Sequence, residues 1–146
     1  MKGECLCGEI KFEIEGKLPN FYQCHCSLCR KATGSTSNTA TFVKADSFHW
    51  VSGQAKISTF QKPTGYRNDF CSGCGSLVPN KLRDTDLMWV PAGLLNDETT
   101  SQISIHLHLS SSASWEAETD SCVRLDDGPD SLGALNQALQ QSSSGI

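Results

Sequence analysis

The sequence contains no long apolar run. Its longest, Leu87 to Leu95, is nine residues interrupted by Pro91, against the roughly 20 that a membrane-spanning helix needs. No apolar stretch of signal-peptide length follows Met1, so a cytoplasmic location with no membrane partner is expected. Cationic charge is also scarce, 12 Lys and Arg against 16 Asp and Glu, which leaves a formal charge of −4 on 146 residues. A chain with that balance cannot neutralise a run of phosphates, which excludes non-specific nucleic-acid binding. Cysteine, by contrast, is abundant, with eight residues. A chain of this length can bury a core without covalent staples. In a reducing compartment clustered thiols bind metal more often than they form bridges.

Helix signals are few, and most of the chain reads as short strands between turns. Glu9 to Glu15 alternates polar and apolar residues with period two, up to the breakers Gly16 and Pro19. Thr39 to Val43, Ala55 to Phe60 and Leu87 to Val90 are further strand candidates. Ile103 to Leu109 alternates most cleanly, with Ile and Leu on one face and Ser and His on the other. One helical turn is expected near Ala32, and an amphipathic helix over Asp130 to Gln141 with Leu132, Leu135 and Leu139 on one side. The expected organisation is a mainly β domain over 1–125 and a C-terminal extension over 126–146, ending in the mobile composition of Ser142 to Gly145.

Seven cysteines fall into three groups: Cys5-Leu6-Cys7-Gly8, Cys24-His25-Cys26-Ser27-Leu28-Cys29 and Cys71-Ser72-Gly73-Cys74-Gly75. Cys71 and Cys74 have the two-residue gap of half a tetrahedral zinc site. Cys5 and Cys7, two apart on an extended segment, project to the same side and can supply the other half. The middle group then stands alone with three sulfurs, and a three-ligand zinc keeps an open position for water or substrate. The spacing therefore divides as four plus three, a structural ion and a reactive one. Weaker readings are four unrelated buried thiols in the first set, and a redox pair or a second structural site in the other. Cys122, isolated in sequence, reads as a small core residue.

With these groups the sequence resembles the glutathione-dependent formaldehyde-activating enzyme family, which includes centromere protein V. The resemblance rests on Cys5-x-Cys7-Gly8, on Cys24-His25-Cys26-x-x-Cys29-Arg30-Lys31 with Gly34, and on Phe70-Cys71-x-x-Cys74-Gly75-Ser76. It extends through Gly53, Gly65 and Val90-Pro91-Ala92-Gly93-Leu94-Leu95. It implies a zinc-stapled, mainly antiparallel β fold of the β-tent type with few short helices. It also implies a structural zinc on Cys5, Cys7, Cys71 and Cys74 and a catalytic zinc on Cys24, Cys26 and Cys29. The implied reaction joins glutathione and formaldehyde into S-hydroxymethylglutathione and is classed with carbon–sulfur lyases. Trp115 matches a family Trp, but Ser114 stands where a Pro usually precedes it, and Ser121-Cys122-Val123 replaces a Leu-Pro segment.

An open zinc would favour the thiolate of an entering thiol at neutral pH. A glutathione-like partner carries two carboxylates, so a cationic wall is expected, with Arg30 and Lys31 first and Lys62 and Arg67 behind them. Asp69 and His49 are the candidate general bases. His25, between two ligands, points away from the metal and packs or hydrogen-bonds; His106 and His108 share a half-exposed strand face. Two rival functions fit the same residues: a non-catalytic zinc module that binds another protein, and a thiol redox sensor built on Cys26 and Cys29.

Overall fold

The structure is a computed structural model, and it describes residues 1–116 and 122–141. In chain order its strands and helices are β1 (Lys2–Glu4), β2 (Lys11–Ile14), β3 (Phe21–Cys24), α1 (Ser27–Thr33), β4 (Asn38–Lys44), β5 (Phe48–Ser52), β6 (Ile57–Gln61), β7 (Arg67–Cys71), β8 (Leu77–Val78), β9 (Asn80–Lys81), β10 (Leu87–Pro91), β11 (Ile103–Leu107) and α2 (Leu132–Gln141). Two units are separable, Met1–Trp115 and Glu116–Ile146. The first holds all the strands, in three open sheets ordered β1-β2-β5, β11-β3-β4-β10-β9 and β6-β7-β8. The protein is mainly β, as expected. The β11–β3 pair is parallel, and the other strand pairs among the described residues are antiparallel.

Period two decides which side chains make the core. On β2, Phe12 and Ile14 are buried while Lys11 is exposed. They pack with Phe48 of β5 and with Phe21, Val43, Met88 and Val90 of the five-stranded sheet. Phe12 stacks on Phe48 at 5.3 Å and meets Trp50 edge-on. Burying a side chain of this size contributes about 2–3 kcal/mol. Directly opposed residues share a face, and Val43 opposes Met88 while Thr41 opposes Val90, so this is the inner face. The other face of the same sheet carries Cys24 opposite Asn38, Tyr22 opposite Ala40, Phe42 opposite Trp89, and Trp89 opposite Asn80. A second, smaller cluster joins Ile10 and Val78 to Cys5 and Cys71.

The sequence-predicted strands fall within one to three residues of β2, β4, β6 and β10. Two expectations need correction. Ile103 to Leu109 does not form a half-buried strand: β11 ends at Leu107, all five of its residues are exposed, and His108 leaves the strand at φ 58°. It is an edge strand held by its parallel ladder to β3 rather than by side-chain burial, and His106 and His108 do not share a strand face. Cys122 is exposed, not a core residue. In the second unit α2 forms as expected, with Leu132, Leu135 and Leu139 exposed. Ser121 and the Ser142 to Gly145 tail lie outside the described residues. Among the described residues, no helix is long and apolar enough to cross a membrane.

Gly53 illustrates how closely the chain leaving β5 runs against the segment that enters β2 within the first sheet. Its φ is +82°, and a Cβ there would collide with the Glu9 carbonyl and lie 2.7 Å from Ile10 Cα. Gly16 has φ +78° with open space around it. Gly53→Ala should therefore destabilise the protein by at least about 2 kcal/mol, and Gly16→Ala by only about 1 kcal/mol. Urea unfolding of the two variants checks this; equal losses would show that the contact with Glu9 relaxes freely.

Candidate metal centres and the adjoining cavity

Two turns bring the first and third cysteine groups together. After β1 the chain folds back on itself, with Gly8 N–H donating to the Cys5 carbonyl at 2.9 Å and Cys5 N–H to the Ile10 carbonyl at 3.1 Å. At the end of β7, Gly75 N–H donates to the Cys71 carbonyl at 2.8 Å. The four sulfurs of Cys5, Cys7, Cys71 and Cys74 lie within 4.8 Å of one another. Cys5 and Cys7 are 3.5 Å apart and Cys7 and Cys71 are 3.8 Å apart. A tetrahedron with Zn–S near 2.3 Å has edges of about 3.8 Å, so the donor set fits zinc. Gly73 lies against the cluster, where a Cβ would be in van der Waals contact with Cys71 Sγ at 3.6 Å and Cys7 Sγ at 3.8 Å.

The electrostatics of this cluster ask for a cation. Hydrogen bonding by the Ser76 side chain and amide, and by the Cys7 backbone, draws the Cys74 thiol down to about 6. Burial opposes ionisation of Cys5, but the Ile10 amide, 3.4 Å from its sulfur, and the neighbouring thiols bring it below its usual value. Cys7 receives help from the Glu9 backbone, yet Cys5 and the other sulfurs push it up to about 12. Four thiolates crowd so small a volume, and the raised Cys7 is the sign of that crowding. A divalent cation removes it.

The middle group sits where β3 runs into α1. Cys24 is the last residue of β3, Cys26 caps α1 and accepts the Cys29 N–H on its sulfur at 3.4 Å, and Gly34 ends the helix in the left-handed conformation. The sulfurs of Cys24, Cys26 and Cys29 lie within 4.8 Å of one another. Burial and the Cys24 and Cys26 sulfurs push Cys29 up; burial opposes ionisation of Cys26, but the Cys29 amide and neighbouring thiols lower it. The same donor chemistry fits zinc with one position open. His25 is buried and directed away from this cluster, its Nε2 3.0 Å from His106 Nδ1 and its N–H donating to the Leu107 carbonyl at 2.9 Å.

A cavity of about 1120 Å³ adjoins this second group, with Cys29 in its wall. Its floor is the outer face of the five-stranded sheet: Tyr22, Asn38, Phe42, Trp89 and Asn80. Tyr22 stacks on Phe42 at 5.3 Å and its hydroxyl accepts from Trp89 Nε1 at 2.7 Å. Gly65, Tyr66 and Arg67, around the start of β7, form one wall, and residues 82–86 form another. Burial pushes Tyr22 up to about 12 and raises Tyr66, with nearby Cys29 adding to both, so both phenols stay protonated at neutral pH.

The charged residues are not arranged as expected. Arg67 lines the cavity, but Arg30, Lys31 and Lys62 do not; Lys81 and Arg83 stand there instead. Neither candidate base lines the cavity. Asp69 is buried and holds Arg67 at 2.7 and 2.8 Å and the Thr59 hydroxyl at 2.8 Å. His49, on β5, lies 3.1 Å from Glu15. Tyr22 was legible in principle, because period two on β3 places it on the face of Cys24. Trp89, Asn80, Lys81 and Tyr66 reach the site through strand register and an interhairpin approach, for which the sequence has no local signal.

A mainly β domain with one cluster of four thiols and one of three defines a class of protein, and comparison with known proteins supplies the family. Residues 1–111 match the family model described as glutathione-dependent formaldehyde-activating enzyme, and the chain belongs to that family. A protein of Halomonas elongata named "Putative glutathione-dependent formaldehyde-activating enzyme" is 33% identical over 86 residues. That match covers 53% of this chain and 54% of the relative, about half of each. The crystal structure of a Rhodobacter sphaeroides protein is similar in fold, with a TM-score of 0.57 at 22% identity, covering 71% of this chain and 100% of that one.

Zinc-loaded protein should carry about two ions per chain. Cys26→Ala should leave about one ion and a folded protein. Cys71→Ala should also leave about one, but with a loss of more than about 3 kcal/mol of stability. Metal analysis and thermal unfolding read both; one ion in the parent, unchanged by Cys26→Ala, would remove the second centre.

Proposed function

We propose that the protein is a cytoplasmic zinc enzyme that interconverts a small thiol, such as glutathione, and an aldehyde, such as formaldehyde, with their S-hydroxymethyl adduct, a carbon–sulfur lyase-type reaction. The observation that carries the reading is the position of Cys29 in the wall of a roomy cavity, while the four-thiol cluster is built on two turns packed against Ile10 and Val78. Cys5, Cys7, Cys71 and Cys74 would hold a structural zinc, and Cys24, Cys26 and Cys29 a catalytic one. A zinc bound by three thiolates supplies an open position at which a thiol loses its proton near neutral pH.

The chain's own residues supply the rest. In the forward direction the thiol sulfur bonds to the aldehyde carbon, the carbonyl π bond breaks, and the new alkoxide oxygen takes a proton; in reverse the same bond breaks. Tyr22 and Tyr66 are neutral hydroxyls in the cavity and can hydrogen-bond that oxygen. Lys81, which makes no ion pair among the described residues, is the cation best placed for a substrate carboxylate, and the aromatic floor excludes water. The family membership supports the choice of thiol and aldehyde.

Exchange NMR of a glutathione and formaldehyde mixture tests the proposal. The protein should accelerate exchange between free formaldehyde and its adduct, and Cys26→Ala should return it to the uncatalysed rate. An unaccelerated exchange with a fully zinc-loaded protein would overturn the enzymatic reading.

A further inference from the structure

Asn38 opens β4, and its side chain lines the cavity on the sheet face that carries Cys24. The residue is 6% exposed. Its amide nonetheless makes no hydrogen bond among the described residues, and its atoms are not sealed off as the Asn80 Oδ1 is. Leaving a buried amide unpaired costs stability, and in a cavity wall the group is satisfied by what enters. Its place in the sheet says which part of a ligand it meets. Asn38 is the direct antiparallel partner of Cys24, and directly opposed residues hold their Cβ atoms about 5 Å apart. A group held at the sulfurs and one hydrogen bond of about 2.9 Å bridge that gap, with no offset along the strands to cross. Tyr22, one row along, turns its hydroxyl to Trp89, in the Phe42 row four residues from Asn38 along β4. The cations stand elsewhere: Arg67 is held by Asp69, and Lys81 lies on β9, two strands beyond β4.

In the proposed reaction a sulfur electron pair forms the bond to the aldehyde carbon, and the carbonyl π pair moves onto oxygen. That oxygen stays anionic until it regains, through solvent, the proton that the thiol released. We infer that Asn38 is a catalytic residue whose Nδ2–H donates a hydrogen bond to this developing alkoxide. This rests on the proposed uptake of a thiol at Cys24, Cys26 and Cys29. The amide suits the task. It is neutral, so it leaves the charge of the thiol cluster unaltered. Its strand is an inner one, flanked by β3 and β10, which fixes its backbone before the reaction begins. With neither end of the amide bound, Nδ2 is free to face the oxygen.

Exchange NMR of the zinc-loaded full chain at varied concentrations of the glutathione–formaldehyde adduct gives kcat and KM, read beside zinc content and the thermal unfolding midpoint. Asn38→Leu, close in shape but without a donor, should lower kcat about 100-fold and move KM by less than about threefold. Zinc content should stay at about two ions per chain. The unfolding midpoint should not fall, because an unpaired amide makes no hydrogen bond to lose; a structural role predicts a lower midpoint. Should Asn38→Leu not fold, Asn38→Ala gives the same comparison. An unchanged kcat, a rise in KM alone, or a loss of kcat that tracks lost zinc or lost stability in both variants overturns the inference. Wild-type protein that accelerates no exchange instead overturns the thiol–aldehyde reading on which the inference rests.

Discussion

The convergence of Cys5 and Cys7 on Cys71 and Cys74 is the constraint on which the architecture depends. These sulfurs come from segments more than sixty residues apart, and they meet where Cys5 and Ile10 pack with Cys71 and Val78 in one small core. Thiolates at this separation repel, and the raised Cys7 expresses that repulsion. A tetrahedral cation at these sulfurs would convert the repulsion into cohesion between the segments that carry them. The hydrophobic contribution there is small, since the cluster's apolar partners are few compared with the Phe12–Phe48 core.

The second cluster is built on a different principle. Its three sulfurs come from one continuous segment, the end of β3 and the first turn of α1, so it needs no distant sheet to form. It is anchored to the five-stranded sheet on both sides: Cys24 opposes Asn38 on β4 and Leu107 on β11. The half-buried His25–His106 contact ties the intervening residue to the same edge strand. A local ligand set on a rigid sheet leaves one side of the site to open into the cavity.

Much of this could be read from the sequence, and what could not has a physical reason. The strand pattern of β2 was legible because half-burial imposes alternation, and those of β4, β6 and β10 because β-branched and aromatic residues favour strands. The grouping of seven cysteines was legible because a metal's coordination geometry imposes short spacings. β1, β3, β5, β7, β8 and β9 were not, being two to five residues long and stabilised by pairing with distant partners rather than by their own composition. Alternation misled at Ile103 to Leu107, where the pattern of a half-buried strand belongs to an exposed edge. Asn80 and Trp89 illustrate the same limit in the site: neither stands out in sequence, and only the register of β9 on β10 on β4 brings them opposite Phe42.

The cavity draws its surfaces from three sources that differ in how freely they can change. Its floor belongs to the sheet that also packs the core, and its Tyr66–Arg67 wall continues along β7 into Cys71, so alterations there disturb folding or the four-thiol cluster. The wall at residues 82–86 joins β9 to β10, supplies no thiol, and is largely exposed. It is the part of the molecule where sequence drift can re-line the chamber at little structural cost. Relatives that keep both sets of cysteines can therefore diverge in the molecules they accept, and this loop is where that divergence has the most room.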